Sequence, residues 1–380
     1  MTIEMKYESI VPYYALAKLR RSSDVVNIDI GGGTTDILFL SNKKDKYYST
    51  SFRFAGNDIW GEGLEESNNY KDNGFFTMIA DKLEANEINL SNANNLRPIY
   101  DSFVSNNTLD SADICAFLFK YDRDFSFSDH IKDHQPLSSI LMLHLSAIIY
   151  HIAQIIKAKQ TNIPEYISFT GKGSEYIKLL GEEEDIRDLV VKLLETFTGT
   201  KASPVTKVVI AENPKTLTAV GAISEKYVRR DENISAKVEN VVHVGVGTDP
   251  KLQEVASEAG DEVPSSSEEK KPKLDPLDYY DIVQIRDLSK DSREHFLDFL
   301  KHLRSRDLIR LFKEYEIKFR YNGFDVLQFV EDYSQASFDE MALKAREENE
   351  VDDELEESLF FWYLKDVLYP LSQKLYEIKS

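Results

Sequence analysis

Short apolar runs separated by polar turns dominate the beginning of the chain. They predict strands at 25–30, 37–40 and 47–54, and the polar residues 41–45 join the last two strands. A helix-like apolar segment at about 10–19 precedes the first strand. We therefore expect this part of the chain to form an antiparallel meander.

Further along the chain, strand and helix patterns alternate. Apolar runs at 166–170 and 206–211 predict strands, and helices are predicted from Ser174, at 183–196 and after Asn213, where a proline occupies the first turn. A meander followed by such alternation predicts an α/β fold with a mixed sheet and helices on its faces. Ligands of such sheets bind at the carboxyl ends of the strands.

Between these two parts, residues 57–160 show no regular period and carry asparagine-rich loops, so we interpret them as an inserted subdomain. The segment 140–156 is strongly apolar but contains His144 and His151. A membrane span needs about 20 apolar residues, so this segment predicts a buried helix. Both histidines lie on one helical face, and we expect satisfied or partly exposed ring nitrogens rather than metal ligands.

The composition changes at a proline-, serine- and glutamate-rich stretch, 250–276, which predicts disorder and a domain boundary. The valine-rich stretch 238–249 before it could be an edge strand or a docking linker, and the sequence leaves both open. We therefore divide the chain into residues 1–230, a linker at 231–276 and a C-terminal region at 277–380.

The C-terminal region is predicted to be a helical domain. Apolar residues recur at spacings of three and four, namely Phe296, Phe299, Leu300, Leu303, Leu308, Leu311 and Phe312. A second helix is predicted at 353–368, and its aromatic cluster 360–363 is expected to pack between helices rather than line a ligand pocket. The acidic run 347–357 is interpreted as a solvated face.

Charge and cysteine content narrow the classes of partner. The 380 residues carry a formal net charge of −20, which argues against a duplex-binding surface and makes nucleic acid an unexpected partner. The only cysteine, Cys115, excludes an internal disulfide and a cysteine-based metal site. The first residues lack the pattern of a signal peptide. We therefore expect a cytoplasmic protein with no membrane partner.

The octet "DIGGGTTD", residues 29–36, is the strongest candidate for a binding motif. It fits neither the P-loop nor the dinucleotide fingerprint, because the residues after Gly33 continue into a strand instead of a helix. Glycines free the backbone conformation and let a phosphate approach successive N–H groups. An ordinary glycine-rich hairpin is the alternative, but simple hairpins prefer Asn-Gly or Asp-Gly turns.

Hydroxyls and carboxylates flank these glycines. Thr34 and Thr35 could add hydroxyl donors to a phosphate, and Asp29 and Asp36 frame the loop. A carboxylate just before a phosphate cradle suits Mg²⁺ held through water. The octet therefore predicts a phosphate-binding turn with a nearby magnesium ion.

The octet resembles the second phosphate motif of the actin-like ATPase superfamily, which includes actins, sugar kinases, the seventy-kilodalton heat-shock chaperones and bacterial filament proteins. Other segments resemble further family motifs in the family's order. They are the first connecting helix at 7–16, the G-G-x-D-[FI] segment at 52–60, the adenosine motif at 166–177 and the second connecting motif at 213–223. Together they cover residues 7 to about 225.

The resemblance implies that residues 1–230 form the second of two lobes that close on ATP, a ribonuclease-H-like mixed sheet with the insertion as its subdomain. It implies one group of residues around the β- and γ-phosphates and Mg²⁺, and a second group along the adenosine and its phosphates. The groups are Asp29 (through water, on Mg²⁺), Gly31, Gly32, Gly33, Thr34 and Thr35, and Gly171, Lys172, Gly173 and Ser174.

The second group departs from the family pattern, since Lys172 stands where a glycine is common. Its side chain could point away or reach a phosphate. The alternative for this turn is that it only caps a helix.

The resemblance also implies a first phosphate motif before the first connecting helix, yet only six residues precede Tyr7. Hydrolysis in this family needs charge stabilisation from both lobes. We therefore expect weak nucleotide binding and negligible turnover unless a first lobe is supplied in cis or in trans. A chain cut to the second lobe, a fragmentary reading frame and a separate polypeptide carrying the first lobe remain open as explanations.

Two functions follow as hypotheses. The first is a nucleotide-dependent switch whose C-terminal helices bind a protein partner, with chaperone-like and filament-forming roles equally open. The second is a scaffold that keeps the lobe fold without using nucleotide. A sugar kinase is a third possibility, but no sugar-pocket signature is present.

Overall fold

Six strands form one mixed sheet in the order β5-β4-β1-β2-β3-β6. The computed structural model describes residues 24–41, 46–65, 67–90, 96–105, 109–211, 241–243, 282–334 and 359–378. The strands are β1 (Val25–Ile30), β2 (Thr35–Ser41), β3 (Lys46–Phe52), β4 (Tyr166–Thr170), β5 (Lys207–Ile210) and β6 (Val241–His243). The predicted α/β class with a mixed sheet is confirmed.

The sheet combines an antiparallel meander with parallel strands. Strand β2 runs antiparallel to β1 and to β3, β4 and β5 continue parallel to β1, and β6 lies parallel to β3. Of the two interpretations left open for 238–249, the edge strand is the one observed, at Val241–His243. Because β1 and β4 are parallel, their carboxyl ends meet at the same edge of the sheet.

The described part of the predicted insertion is helical. Its helices are α1 (Gly56–Trp60), the 3₁₀ turn Tyr70–Asp72, α2 (Gly74–Glu84), α3 (Leu96–Ser105), α4 (Ser111–Lys120), α5 (Asp122–Phe125), α6 (Phe127–Asp133) and α7 (Gln135–Ala158). Most of them are short, which explains why no single period was visible in the sequence. A 3₁₀ helix (Lys172–Leu180) and α8 (Glu183–Thr198) follow β4.

Helix α7 is the central helix of the core. Among the described residues it is the one helix long and apolar enough to cross a membrane, but 94% of its most apolar window is buried inside the protein. It packs on β3, where the His151 ring meets the Phe52 ring edge-on at a centroid distance of 4.9 Å. The prediction of a buried helix is confirmed, while the cytoplasmic location stays a prediction.

The C-terminal helices share this core. They are α9 (Ile282–Leu303), α10 (Arg306–Glu314), α11 (326–334) and α12 (Leu359–Glu377), with a small hairpin of β7 (Arg320–Tyr321) and β8 (Phe324–Asp325) between α10 and α11. On α7, the Tyr150 hydroxyl donates to Asp298 of α9 at 3.0 Å, and its ring stacks on Phe360 of α12. One hydrophobic cluster runs from β1 to α12.

Helix α12 differs from its predicted bounds. It continues to Glu377, past the predicted end at residue 368, with Pro370 inside it. Proline normally ends a helix because it lacks the N–H and crowds the preceding turn. Here Leu371 and Leu375 are fully buried beyond it, so packing in the core holds the last turns in place.

Several predicted features lie outside the described residues. They are the helix at 10–19, the helix after Asn213, the connecting motifs at 7–16 and 213–223, the linker 250–276 and the acidic run 347–357. The boundaries drawn at 230 and 277 therefore stay predictions. Within the described residues, the apolar positions predicted from Phe296 to Phe312 and the aromatic cluster 360–363 are all buried, as expected.

Candidate functional site

The glycine loop Gly31–Thr34 connects β1 to β2 and is closed by one hydrogen bond, from the Gly31 N–H to the Thr34 carbonyl oxygen at 2.8 Å. Gly32, Gly33 and Thr34 are exposed. A Cβ built on Gly33 would meet no atom within 4 Å. The backbone of the loop is therefore open to a ligand approaching from solvent.

A second glycine turn, at Gly171–Gly173, packs directly against this loop. A Cβ on Gly171 would collide with the Ile30 carbonyl oxygen and with Oδ1 of Asp29, and a Cβ on Gly173 would collide with the Gly31 carbonyl oxygen. Gly171 also has a φ of +81°, which residues with a side chain rarely adopt. The two motifs that the sequence singled out thus lie in direct contact.

The N-terminus of α1 forms a third wall of the site. The N–H of Gly56 donates to the Gly31 carbonyl oxygen at 3.1 Å, and the N–H of Asn57 donates to the Gly32 carbonyl oxygen at 2.8 Å. The Asn57 side chain lies beside Gly32, with its Oδ1 3.1 Å from where a Gly32 Cβ would stand. The 52–60 segment therefore holds the glycine loop in place through two backbone hydrogen bonds.

Two of the predicted ligand hydroxyls are used inside the protein. Thr35 is fully buried, and its hydroxyl donates to the Phe54 carbonyl oxygen at 2.6 Å. Ser174 is fully buried, and its hydroxyl donates to the Gly171 carbonyl oxygen at 2.7 Å. Thr34 and Lys172 remain exposed. The predicted contact of the Thr35 hydroxyl with a ligand therefore has no support in this geometry, and the Ser174 hydroxyl is likewise bonded within the protein.

The helix predicted to open at Ser174 is a 3₁₀ helix that begins at Lys172. The Ser174 N–H donates to the Gly171 carbonyl oxygen at 3.2 Å, an i to i+3 bond typical of this tighter geometry. The close contact of Gly171 and Gly173 with the end of β1 fixes the backbone of the turn. The helix that follows therefore begins with the tighter 3₁₀ geometry.

Asp29 and Asp36 are directly opposite each other in the β1–β2 ladder. Their side chains therefore project from the same face of the sheet, which is the face opposite Phe52 and α7. Among the described residues, no three His, Cys, Asp or Glu side chains are close enough together to hold a metal ion by themselves. Two carboxylates suit Mg²⁺, which keeps several waters and takes further oxygens from phosphates.

Comparison with protein families and with curated proteins gives no match. No protein-family model fits the sequence, and no curated protein is similar to it. The resemblance to the actin-like ATPase superfamily therefore stays a prediction.

A buried polar network joins β1 to β4 beneath Asp29, and the sequence reasoning missed it. The Ser168 hydroxyl donates to Asn27 Oδ1 at 2.8 Å, and Asn27 Nδ2 donates to the Thr170 hydroxyl at 3.4 Å. The signal was the alternation of polar residues inside two otherwise apolar strands. These side-chain bonds link the two strands in addition to their backbone ladder.

Both histidines of α7 are buried, and they differ in their partners. His144 Nε2 lies 2.9 Å from the Ala55 carbonyl oxygen and Nδ1 lies 2.7 Å from the Tyr176 hydroxyl, so the prediction of satisfied nitrogens is confirmed. Neither nitrogen of His151 has a hydrogen-bond partner among the described residues, so that prediction is wrong for His151. Burial lowers the pKa of His144 to about 3 and that of His151 to about 4.

Proposed function

We propose that the sheet domain is the ATP-binding second lobe of an actin-like or chaperone-like ATPase, a nucleotide-dependent switch that needs a first lobe to complete its site. The proposal rests on the direct contact of the Gly171–Gly173 turn with the end of β1 and with Gly31. Beside this contact, Gly32, Gly33 and Thr34 are open to solvent. Two glycine turns brought together at the carboxyl ends of parallel strands suit an anionic ligand.

The sheet topology supports the same proposal. A central β1 with an antiparallel meander on one side and the parallel strands β4 and β5 on the other is the arrangement that a ribonuclease-H-like lobe would have. The long helix α7 between β3 and β4 covers one face, as a crossover helix in such a sheet does.

The proposal assigns roles to named residues. The N–H groups of Gly32 and Gly33 and the hydroxyl of Thr34 would bind phosphate oxygens. Gly31, whose N–H already donates to the Thr34 carbonyl oxygen, would shape the turn. Asp29 would hold Mg²⁺ through water, with Asp36 opposite it. Gly171, Lys172 and Gly173 would lie along the adenosine side. ATP would supply the phosphoanhydride, whereas the described residues would bind and orient it. Thr35 and Ser174 are left with structural roles.

The full chain titrated with Mg-ATP tests the proposal. Because a single lobe should bind weakly, saturation-transfer NMR at millimolar Mg-ATP is the suitable readout. Gly33→Ala should weaken binding about tenfold or more, since a methyl group would fill the cradle. It should leave the melting temperature unchanged, because the added Cβ meets no atom.

A matched threonine pair controls this experiment. Thr34→Val should weaken binding by removing an exposed hydroxyl beside the loop. Thr200→Val removes a similarly exposed hydroxyl two residues after the end of α8, and it should leave ATP binding unchanged. Absence of any transfer to ATP in the wild-type chain would remove the nucleotide proposal.

A nucleotide-independent scaffold is the second candidate. It is favoured by the internal hydrogen bonds of the Thr35 and Ser174 hydroxyls, which take two donors away from a ligand. In either function, a protein partner of the C-terminal helices would bind their exposed faces, because their apolar faces are buried in the core. Partner capture that is insensitive to Mg-ATP and to Gly33→Ala would favour the scaffold.

A further inference from the structure

The side chain of His144 contacts two segments, each of which adjoins one of the glycine turns. Its Nε2 is 2.9 Å from the carbonyl oxygen of Ala55, the residue just before the two amides that bond to Gly31 and Gly32. Its Nδ1 is 2.7 Å from the hydroxyl of Tyr176, which belongs to the 3₁₀ helix that begins at the second turn. One imidazole therefore bridges the two segments.

The partners of His144 determine which ring nitrogen carries the hydrogen. A carbonyl oxygen can only accept, so Nε2 must donate to Ala55. Nδ1 then has no hydrogen and accepts the hydrogen bond that the Tyr176 hydroxyl donates. The ring of Phe54 stacks on the imidazole with centroids 4.3 Å apart and planes 20° from parallel, which fixes its orientation.

All three partners are shielded from water. His144 and Tyr176 are at most 1% exposed, and Ala55 is fully buried. Losing one member of a buried hydrogen-bonded set leaves the other without a partner, which costs more than the bond itself contributes. The two bonds are therefore strong constraints on where α1 and the 3₁₀ helix lie.

We infer that His144 and Tyr176 are positioning residues that fix the first glycine turn relative to the second. Their functional meaning rests on the proposed nucleotide site, since it is the relative placement of the two turns that a ligand spanning them would need. Neither side chain reaches the loops themselves. Both act through the backbone of Ala55 and of the 3₁₀ helix.

Hydrogen–deuterium exchange on the full chain without nucleotide tests this inference directly. His144→Leu should raise amide exchange about tenfold in both 29–36 and 171–176, because both bonds are lost. Tyr176→Phe should loosen mainly the second turn. His144→Gln, whose amide can donate to the Ala55 carbonyl oxygen and accept from the Tyr176 hydroxyl, should restore part of the protection of both turns relative to His144→Leu.

His151→Leu is the matched control. It replaces another fully buried histidine of the same helix, but one without hydrogen-bond partners among the described residues, so it should leave both turns unchanged. The inference is overturned if His144→Leu leaves the turns as protected as in the wild type. It is also overturned if Tyr176→Phe and His151→Leu give the same pattern.

Nucleotide binding is then measured separately. If the wild type binds Mg-ATP, Tyr176→Phe should weaken binding severalfold, while His151→Leu should not. If the wild type does not bind and the exchange results are as expected, the positioning role stands and the nucleotide proposal fails. If the wild type binds Mg-ATP but His144→Leu leaves amide exchange in both turns unchanged, the nucleotide proposal stands and the positioning role fails.

Discussion

The rings of Phe52 and Phe361 are stacked, with centroids 4.2 Å apart and planes 8° from parallel. Phe361 also stacks on Phe54, at a centroid distance of 4.9 Å. Phe52 ends β3, and Phe54 accepts the Thr35 hydrogen bond just before α1. Helix α12 therefore rests against the segment that supports the glycine loop, although more than 300 residues separate them in the chain.

Phe361→Ala should destabilise the protein strongly. Phe361 is fully buried and touches rings from β3, α7 and α12, so truncation leaves a cavity among them. Substitutions of this kind cost about 3–5 kcal/mol. The free energy of unfolding from urea titration measures the loss. Ile309→Ala, at a residue that is 54% exposed on α10, is the control and should change stability by less than about 0.5 kcal/mol.

Gly171→Ala and Gly33→Ala should affect stability very differently. At Gly171 the methyl group would meet the Ile30 backbone in a conformation with φ of +81°, so we expect a loss of more than about 1 kcal/mol. At Gly33 the methyl group faces open space, and the melting temperature should not move. Equal melting temperatures for the two variants would contradict the contact between the turns.

Stability should fall as the pH drops below neutral, in part because of the α7 histidines. Burial lowers the pKa of His144 to about 3 and that of His151 to about 4, whereas an unfolded histidine has a pKa of about 6.5. A lowered folded pKa means that the unfolded state takes up the proton first. The two neutral histidines therefore make their full contribution to the free energy of unfolding above pH ~6.5. This contribution is lost as the pH falls towards the folded pKa values, and the loss reaches about 2 kcal/mol per histidine at pH ~5.

His151→Leu isolates one of these contributions. At neutral pH its stability should be close to that of the wild type, because the imidazole has no hydrogen-bond partner among the described residues to lose. Between pH 6.5 and 5 the variant should lose about 2 kcal/mol less than the wild type. Urea titrations at several pH values compare the two proteins, and parallel acid limbs would contradict the prediction.

Asp36→Asn should have effects of opposite sign on stability and on ligand binding. Like charges directly opposite in a ladder are destabilising, so removing one should raise the stability of the ligand-free protein by about 0.5 kcal/mol. In the proposed site, the same change should weaken the Mg²⁺ dependence of ATP binding. Asp124→Asn, an exposed carboxylate on α5, should do neither.

The sheet could be predicted from the sequence because its signals are local. Apolar runs marked β1, β2, β3 and β4 to within a few residues, and the glycines at 31–33, 171 and 173 marked the turns. What these patterns could not supply is which element covers which face. The pairing of His144 with Tyr176 and the stacking of Phe361 on Phe52 join residues far apart in sequence, and no periodicity encodes such partners.

The sequence could likewise not predict which threonine hydroxyl of the glycine loop is exposed and which is bonded within the protein. Thr34 and Thr35 are equivalent as residue types, yet one faces solvent and the other is tied to Phe54. Strand alternation separates them only after the first residue of β2 is known, because neighbouring side chains point to opposite faces. Helix α12 continues past Pro370 for a related reason, since burial of the turns beyond it outweighs local propensity.

Helix α12 follows every other described element along the chain, so it is the last of them to leave the ribosome. Until residue 361 has been synthesised, Phe52 and Phe54 lack the Phe361 ring that covers them, and the nascent chain presents a partly uncovered aromatic surface. Such surfaces make unfinished chains prone to aggregation. Ribosome-stalled chains that stop before residue 359 should therefore bind cellular chaperones, and translation of α12 should release them.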